Sequence, residues 1–269
     1  NNGKVVSASF GPSSKNPVFS YFSADISATY SSKVRSFVRS FCFINTNRKD
    51  IPGIVILSDD ISSSNSSFKK YWQINTHNIP IQTAEGLILE NRANSSSPIG
   101  KTHINMLIPA PADRTTQILD GKAAFTVNGV YFEQPNQNFA EKNGKRTLIS
   151  PNVSNLRDRF LTVFQISDEL ANPLPIEHTE ISVAHVIKVD NKIVLMSNNT
   201  YLIDSEIPIT IPNDKNYQLA ITGLKEGQWS LLSSNRNKVF DFNVEKRKNS
   251  IFIETIPMGS YTLTPKVVK

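Results

Sequence analysis

His185-Val186-Ile187-Lys188-Val189-Asp190-Asn191-Lys192-Ile193-Val194-Leu195-Met196 is two short apolar runs hinged on a polar corner. Val189-Asp190-Asn191-Lys192 reads as a hairpin turn, because Asp and Asn tolerate the backbone that such turns require. Outward from this corner the pattern repeats. Apolar alternation at period two recurs along the chain and is broken by turn residues at short intervals, which predicts an all-β protein. Residues 51–60 form a β-branched run that two acids, Asp59 and Asp60, are expected to stop. Further runs lie at 71–77, 86–91, 103–108, 147–150, 160–166, 207–211, 217–222, 229–232, 239–244, 250–255 and 261–264.

One segment admits two readings. Val34, Phe37, Val38 and Phe41 fall at the spacing of an amphipathic helix. The same residues also alternate as a strand, with Lys33, Arg35, Phe37, Arg39, Phe41 and Phe43 on one face. The β-rich surroundings favour the strand, preceded by a short helical turn around residues 26–30. Asp168-Glu169-Leu170-Ala171-Asn172-Pro173-Leu174-Pro175 reads as a linker. The expected architecture is therefore a large antiparallel β-sandwich over residues 1–170 and a smaller β-domain over 176–269. Residues 113–146 carry weak strand signal and loop residues such as Gln134-Pro135-Asn136-Gln137-Asn138, and a long connection of this kind is often functional.

The chain of 269 residues can bury a core without disulfides or a structural metal. Its one cysteine, Cys42, excludes an intrachain disulfide and, within Phe41-Cys42-Phe43, reads as a buried, inert thiol. His77, His103, His178 and His185 lie at no metal-binding spacing, so no metal and no cofactor are expected. There is no G-x-S-x-G, no phosphate-cradling glycine loop and no H-E-x-x-H. No apolar run approaches the roughly 20 residues needed to cross a bilayer. The start, Asn1-Asn2-Gly3-Lys4, has neither an initiator methionine nor a signal-like stretch and reads as a trimmed start or a fragment.

Lys and Arg outnumber Asp and Glu by 29 to 23, for a net charge of +6. Residues 1–50 hold seven cations (Lys4, Lys15, Lys33, Arg35, Arg39, Arg48 and Lys49) against Asp25 and Asp50. Such a balance favours polyanionic partners, although ordinary solubility accounts for a surplus of this size equally well. No basic helix or aromatic platform accompanies the charge, so nucleic acid is not the expected partner. Only 19% of residues are charged while Ser and Asn recur. This polar, weakly charged surface suits a secreted or periplasmic protein that meets sugars.

Candidate contacts for an acidic sugar follow from residue chemistry. Arg35 and Arg39 offer bidentate donors to sulfate or carboxylate, with a solvated face or internal ion pairs as the alternative. Trp72 can stack on a sugar ring or serve the core. His103 can face a cleft or be structural. The Lys142-Asn143-Gly144-Lys145-Arg146 stretch reads as an exposed cationic turn, with Lys145 and Arg146 as its anion contacts.

Several segments together resemble the C-terminal β-region of heparinase II-like polysaccharide lyases. They are Gly3-Lys4-Val5-Val6 with Phe10-Gly11-Pro12, then Tyr21 to Tyr30, and Lys33-Val34-Arg35 with Arg39-Ser40-Phe41. Lys69-Lys70-Tyr71-Trp72, residues 103–113, and Ser150-Pro151 with Asp158-Arg159-Phe160-Leu161-Thr162-Val163-Phe164-Gln165-Ile166-Ser167-Asp168 continue the likeness. Ile221-Thr222-Gly223-Leu224-Lys225-Glu226-Gly227-Gln228-Trp229 with Gly259-Ser260-Tyr261 closes it. The resemblance implies β-elimination of uronic-acid glycans such as heparan sulfate, with an N-terminal α/α-toroid domain as partner. In that family the base, acid and carboxylate neutraliser are His, Tyr and His or Asn, mainly from the toroid. This chain is read as beginning after those positions and after the family's metal site. No catalytic residue is carried over, and the chain alone is expected to be inactive. Relatives often place a histidine a few residues after the tryptophan; here Asn75 stands at that place and His77 follows on the same strand face. The alternative is a stand-alone carbohydrate-binding or structural β-module.

Overall fold

The computed structural model describes residues 2–92, 96–133 and 144–266. Its first strands are β1 (Lys4–Gly11), β2 (Phe19–Asp25), β3 (Val34–Asn45), β4 (Gly53–Ser63), β5 (Trp72–Thr76), β6 (Ile81–Gln82), β7 (Gly86–Asn91) and β8 (Gly100–Ile108). Then come β9 (Arg114–Leu119), β10 (Thr126–Val127), β11 (Val130–Tyr131), β12 (Lys145–Pro151) and β13 (Arg157–Asp168). The remainder holds β14 (Ile176–Glu180), β15 (Ala184–Val189), β16 (Lys192–Ser197), β17 (Ile207–Ile211), β18 (Tyr217–Thr222), β19 (Gly227–Ser233), β20 (Lys238–Val244), β21 (Ser250–Ile256) and β22 (Gly259–Pro265). No α-helix forms among the described residues; short 3-10 turns occupy Ser27–Thr29, Pro111–Asp113 and Gly121–Phe125.

The sheets stack in four layers. A central antiparallel sheet runs β1-β2-β3-β4-β13-β8-β7-β6. One face of it carries Phe37, Ile61, Ile104, Met106 and Phe160, which pack beneath Trp72 and Ile149 of the three-stranded sheet β5-β12-β9. Its other face carries Tyr21, Cys42, Ile56, Leu161 and Val163 and packs on Ile187, Val194, Met196 and Ala220. Those residues belong to the five-stranded sheet β14-β15-β16-β18-β21, in which β16 and β18 are parallel. The opposite face of that sheet, with Ile193, Leu195, Leu219 and Ile221, packs on the fourth layer, β17-β22-β19-β20. β16 is thus buried on both faces, and Ile193 to Met196 are all at most 2% exposed. This explains the continuous apolar run that period two alone would not produce.

The hairpin expected at Val189 to Lys192 forms, with Asp190 at φ 52° and Val189 paired to Lys192. Residues 34–45 are a strand, which settles the ambiguous segment, and a 3-10 turn precedes it at Ser27–Thr29. Its start departs from plain alternation: the register shifts between Val34 and Ser36, so Arg35 is the extra residue of a bulge. Asp59 and Asp60 do not stop their strand. They lie inside β4, 2% and 6% exposed, because Arg39 and Arg157 each grip one carboxylate with two hydrogen bonds. Within 113–146 the structure adds β9 and a two-residue hairpin, β10–β11, turned by Asn128 (φ 50°) and Gly129 (φ 80°). Gln134 to Asn138, Lys142 and Asn143 lie outside the described residues.

At residues 168–176 the chain leaves the central sheet for the five-stranded one. The buried Gln165 side chain holds this passage, donating to the Leu174 carbonyl at 2.9 Å and accepting from its amide at 2.8 Å. The hydrophobic core continues across the passage. β1 is also tied to the C-terminal layers, through Ala8 N–H to Arg247 O (2.7 Å) and Ser7 Oγ to Asn249 Oδ1 (2.9 Å).

Candidate functional site

In β5, Trp72, Gln73, Ile74, Asn75 and Thr76 alternate between core and solvent. Trp72 and Ile74 point inward, while Gln73 and Asn75 are exposed. β12 pairs alongside, with Arg146 opposite Asn75 and Lys145 opposite Thr76. Beyond the strand end stands the exposed His77. A cleft of about 490 Å³ opens here, lined by Gln73, Asn75, His77, Lys145 and Arg146, with Phe125 and Phe132 among its apolar walls.

Local sequence explains how the walls are held. The Asp120 carboxylate caps the 3-10 turn, accepting from the Gly121 amide at 2.5 Å, and also bonds the Lys145 ammonium. Lys145 first, and the amide second, hold that carboxyl below the usual carboxylate range. Arg146 Nη2 donates to the Thr126 carbonyl at 2.5 Å and to the Ala123 carbonyl at 3.3 Å. Its Nε is buried and has no partner among the described residues. The β10–β11 hairpin presents Phe132, whose amide donates to Phe125 O at 2.9 Å. Lys122 Nζ sits 5.1 Å from the Tyr131 ring centroid on the same hairpin. Around the cleft Lys122, Lys145 and Arg146 outnumber Asp120, so a ligand carboxylate or sulfate is favoured there.

The structure brings together His77, Lys145 and Arg146 of the residues singled out from sequence. Lys145 and Arg146 open a strand rather than sit in a turn, and the Lys145 side chain is only 15% exposed. Trp72 is 4% exposed, with its ring centroid 6.1 Å from that of Phe164, so it is a core residue and offers no open face to a sugar. Arg39 is occupied by Asp59, while Arg35 is exposed on its bulge, away from the cleft lining. His103 pairs with Gln165 and Ile88 on the central sheet, on the face opposite to Ile104 and the three-stranded sheet. Its Nε2 is buried without a partner among the described residues. Burial and then Lys101 pull its pKa below that of a free imidazole, with Glu90 opposing. Gln73, Asp120, Phe125 and Phe132 were not legible as site residues. Asn128-Gly129 between Val127 and Val130 is the hairpin signal that marks this wall.

No three His, Cys, Asp or Glu side chains among the described residues converge to hold a metal. Burial pushes the Cys42 thiol up to about 12, so it is not a nucleophile at neutral pH. No helix among the described residues is long and apolar enough to cross a membrane.

Stacked, mainly antiparallel layers define an all-β protein of the sandwich class, with a cation-flanked cleft on its surface. Residues 178–265 match the model of the Heparinase II C-terminal domain, so this segment is similar to the C-terminal region of heparinase II-like lyases. The match runs from His178 in β14 to Pro265 in β22, and the cleft lies outside it. No curated protein matches the chain.

Proposed function

We propose that this chain is the β-region of a secreted or periplasmic heparinase II/III-like polysaccharide lyase, and that its cleft holds an acidic, uronate-bearing sugar. The partner domain would be an N-terminal α/α-toroid supplying the catalytic groups. The observation that carries this reading is the convergence of Asn75, His77, Lys145 and Arg146 from adjoining strand ends on one hollow. Lys145 and Arg146 favour the carboxylate, Asn75 and Gln73 can exchange hydrogen bonds with hydroxyls, and the rings of Phe125 and Phe132 suit the C–H faces of a pyranose. The Ser- and Asn-rich, weakly charged composition supports an extracytoplasmic setting.

Calorimetric titration with a heparan-type oligosaccharide tests it. Binding should weaken with salt, because exposed charges are screened over a Debye length of about 8 Å at physiological ionic strength. His77→Ala and Asn75→Ala should each weaken binding by about fivefold, as expected for loss of one modest polar contact. Absence of binding by the unmodified chain, or variants that both bind as tightly as the unmodified chain, overturns the reading.

A further inference from the structure

The outward face of the three-stranded sheet is a continuous strip. Its cross-strand rows are Asn75–Arg146–Leu119 and Gln73–Leu148–Gln117, followed by Ser150 opposite Thr115. The inward face is spent on the core through Trp72, Ile74, Ile118 and Ile149. Gln73, Asn75, Thr115 and Gln117 are exposed on the outward one. At the Arg146 end the strip opens into the 490 Å³ cleft. At the other end Pro151 and Asn152 form the lip of a second hollow, of about 510 Å³. This lip is fixed: Thr115 Oγ1 donates to Asn152 Oδ1 at 2.8 Å, and Asn152 Nδ2 donates to Ala112 O at 2.9 Å. At about 3.3 Å per residue, β12 spans about 20 Å between the two hollows.

We propose that this strip is a track for an extended glycan several sugar units long, running along β12 from the cleft to the Pro151 hollow. The proposal rests on the cleft being an acidic-sugar site and assigns the chain's path beyond it. A pyranose presents an apolar C–H face ringed by hydroxyls that both donate and accept. The row Gln73–Leu148–Gln117 matches it, with an aliphatic centre between two amides that also do both. Charge sets the direction. Arg146 is the cation of the strip, whereas in the far hollow Arg157 is committed to Asp60, Arg159 to Glu180 and Asp158 to Lys70, which leaves the Asp113 carboxylate as its surplus charge. The acidic or sulfated end of the glycan therefore belongs at the cleft, and less sulfated units belong toward Pro151. A nucleic acid, with a phosphate on every unit, would meet the Asp113 carboxylate at the far end and find no uncommitted arginine there. An extended peptide would pair with a sheet edge rather than cross a sheet face.

Size-defined, unsulfated heparosan di-, tetra- and hexasaccharides, titrated into the full chain, test the track. Affinity should rise about tenfold from disaccharide to hexasaccharide, the gain expected from two or three added hydrogen bonds of modest strength. The exposed double variant Thr115→Ala/Gln117→Ala should remove that gain and leave disaccharide affinity unchanged. Equal affinity at all lengths overturns the track and leaves the cleft reading standing, as does a length-dependent gain that survives in the double variant. Absence of binding at every length overturns both.

Discussion

Arg39 and Asp59 stand directly opposite each other on β3 and β4, joined by two hydrogen bonds, Nε to Oδ1 and Nη2 to Oδ2, each 2.7 Å long. The Asp59 side chain is 3% exposed and the Arg39 side chain 44%, so only one partner is removed from water. Arg39→Ala would leave a buried carboxylate without its cation, at a cost of about 2–3 kcal/mol. Arg35→Ala, on the exposed bulge, should change stability by less than about 0.5 kcal/mol. Urea unfolding of both variants, with heparin-column elution measured alongside, checks this. An Arg39→Ala variant of unchanged stability would contradict the pair's structural role.

Lys70 and Asp158 form a more deeply buried pair, 6% and 4% exposed, at 2.8 Å. Lys70 Nζ also donates to Asn155 O at 2.6 Å, which fixes the turn that leads into β13. Removing one partner as Lys70→Met should cost about 3–5 kcal/mol, whereas the double variant Lys70→Met/Asp158→Leu should recover much of that loss. Thermal unfolding of the single and double variants supplies the comparison.

His178 Nε2 and His185 Nδ1 share a hydrogen bond of 3.3 Å in the seam between the central and five-stranded sheets. Burial lowers the His185 pKa to about 4. Glu180 opposes this shift, while His178, Arg159 and Arg157 reinforce it. The unfolded chain takes up this proton near pH 6.5, so between about pH 6.5 and 4 the unfolded state binds more protons than the folded one. Stability should be full above pH 6.5 and fall by about 3 kcal/mol as the pH drops toward 4. His185→Gln should flatten that slope in denaturant titrations at stepped pH, and an unchanged slope would refute the assignment.

Gly86 begins β7 where the backbone of β8 passes close. A Cβ placed there would stand 2.0 Å from the Ile104 carbonyl oxygen. Because the obstacle is main chain, relief requires moving a core strand, and Gly86→Ala should cost about 3 kcal/mol. Calorimetric melting of this variant checks the value.

Much of the fold was legible because strand periodicity reports which side chains leave water. Runs such as 86–91, 207–211 and 217–222 coincide with observed strands. β9 and β14 were not legible. Arg114-Thr115-Thr116-Gln117 and Glu177-His178-Thr179-Glu180 are mostly polar, and each strand lies at a sheet edge, where pairing rather than burial holds it. Asp59-Asp60 misled for the opposite reason. Two acids in sequence signal a solvated turn, and nothing local shows that Arg39 and Arg157 arrive from other strands to neutralise them.

The amino-acid sequence by itself determined the all-β class, the Val189–Lys192 hairpin and the inert setting of Cys42, since period, turn chemistry and flanking residues are local properties. Tertiary structure alone decided what each cation faces. Arg39 spends its charge on Asp59, Lys145 and Arg146 meet His77 across a strand pair, and Trp72 turns into the core beneath them. These outcomes depend on strand register, and register joins residues some 70 positions apart that share no local signal.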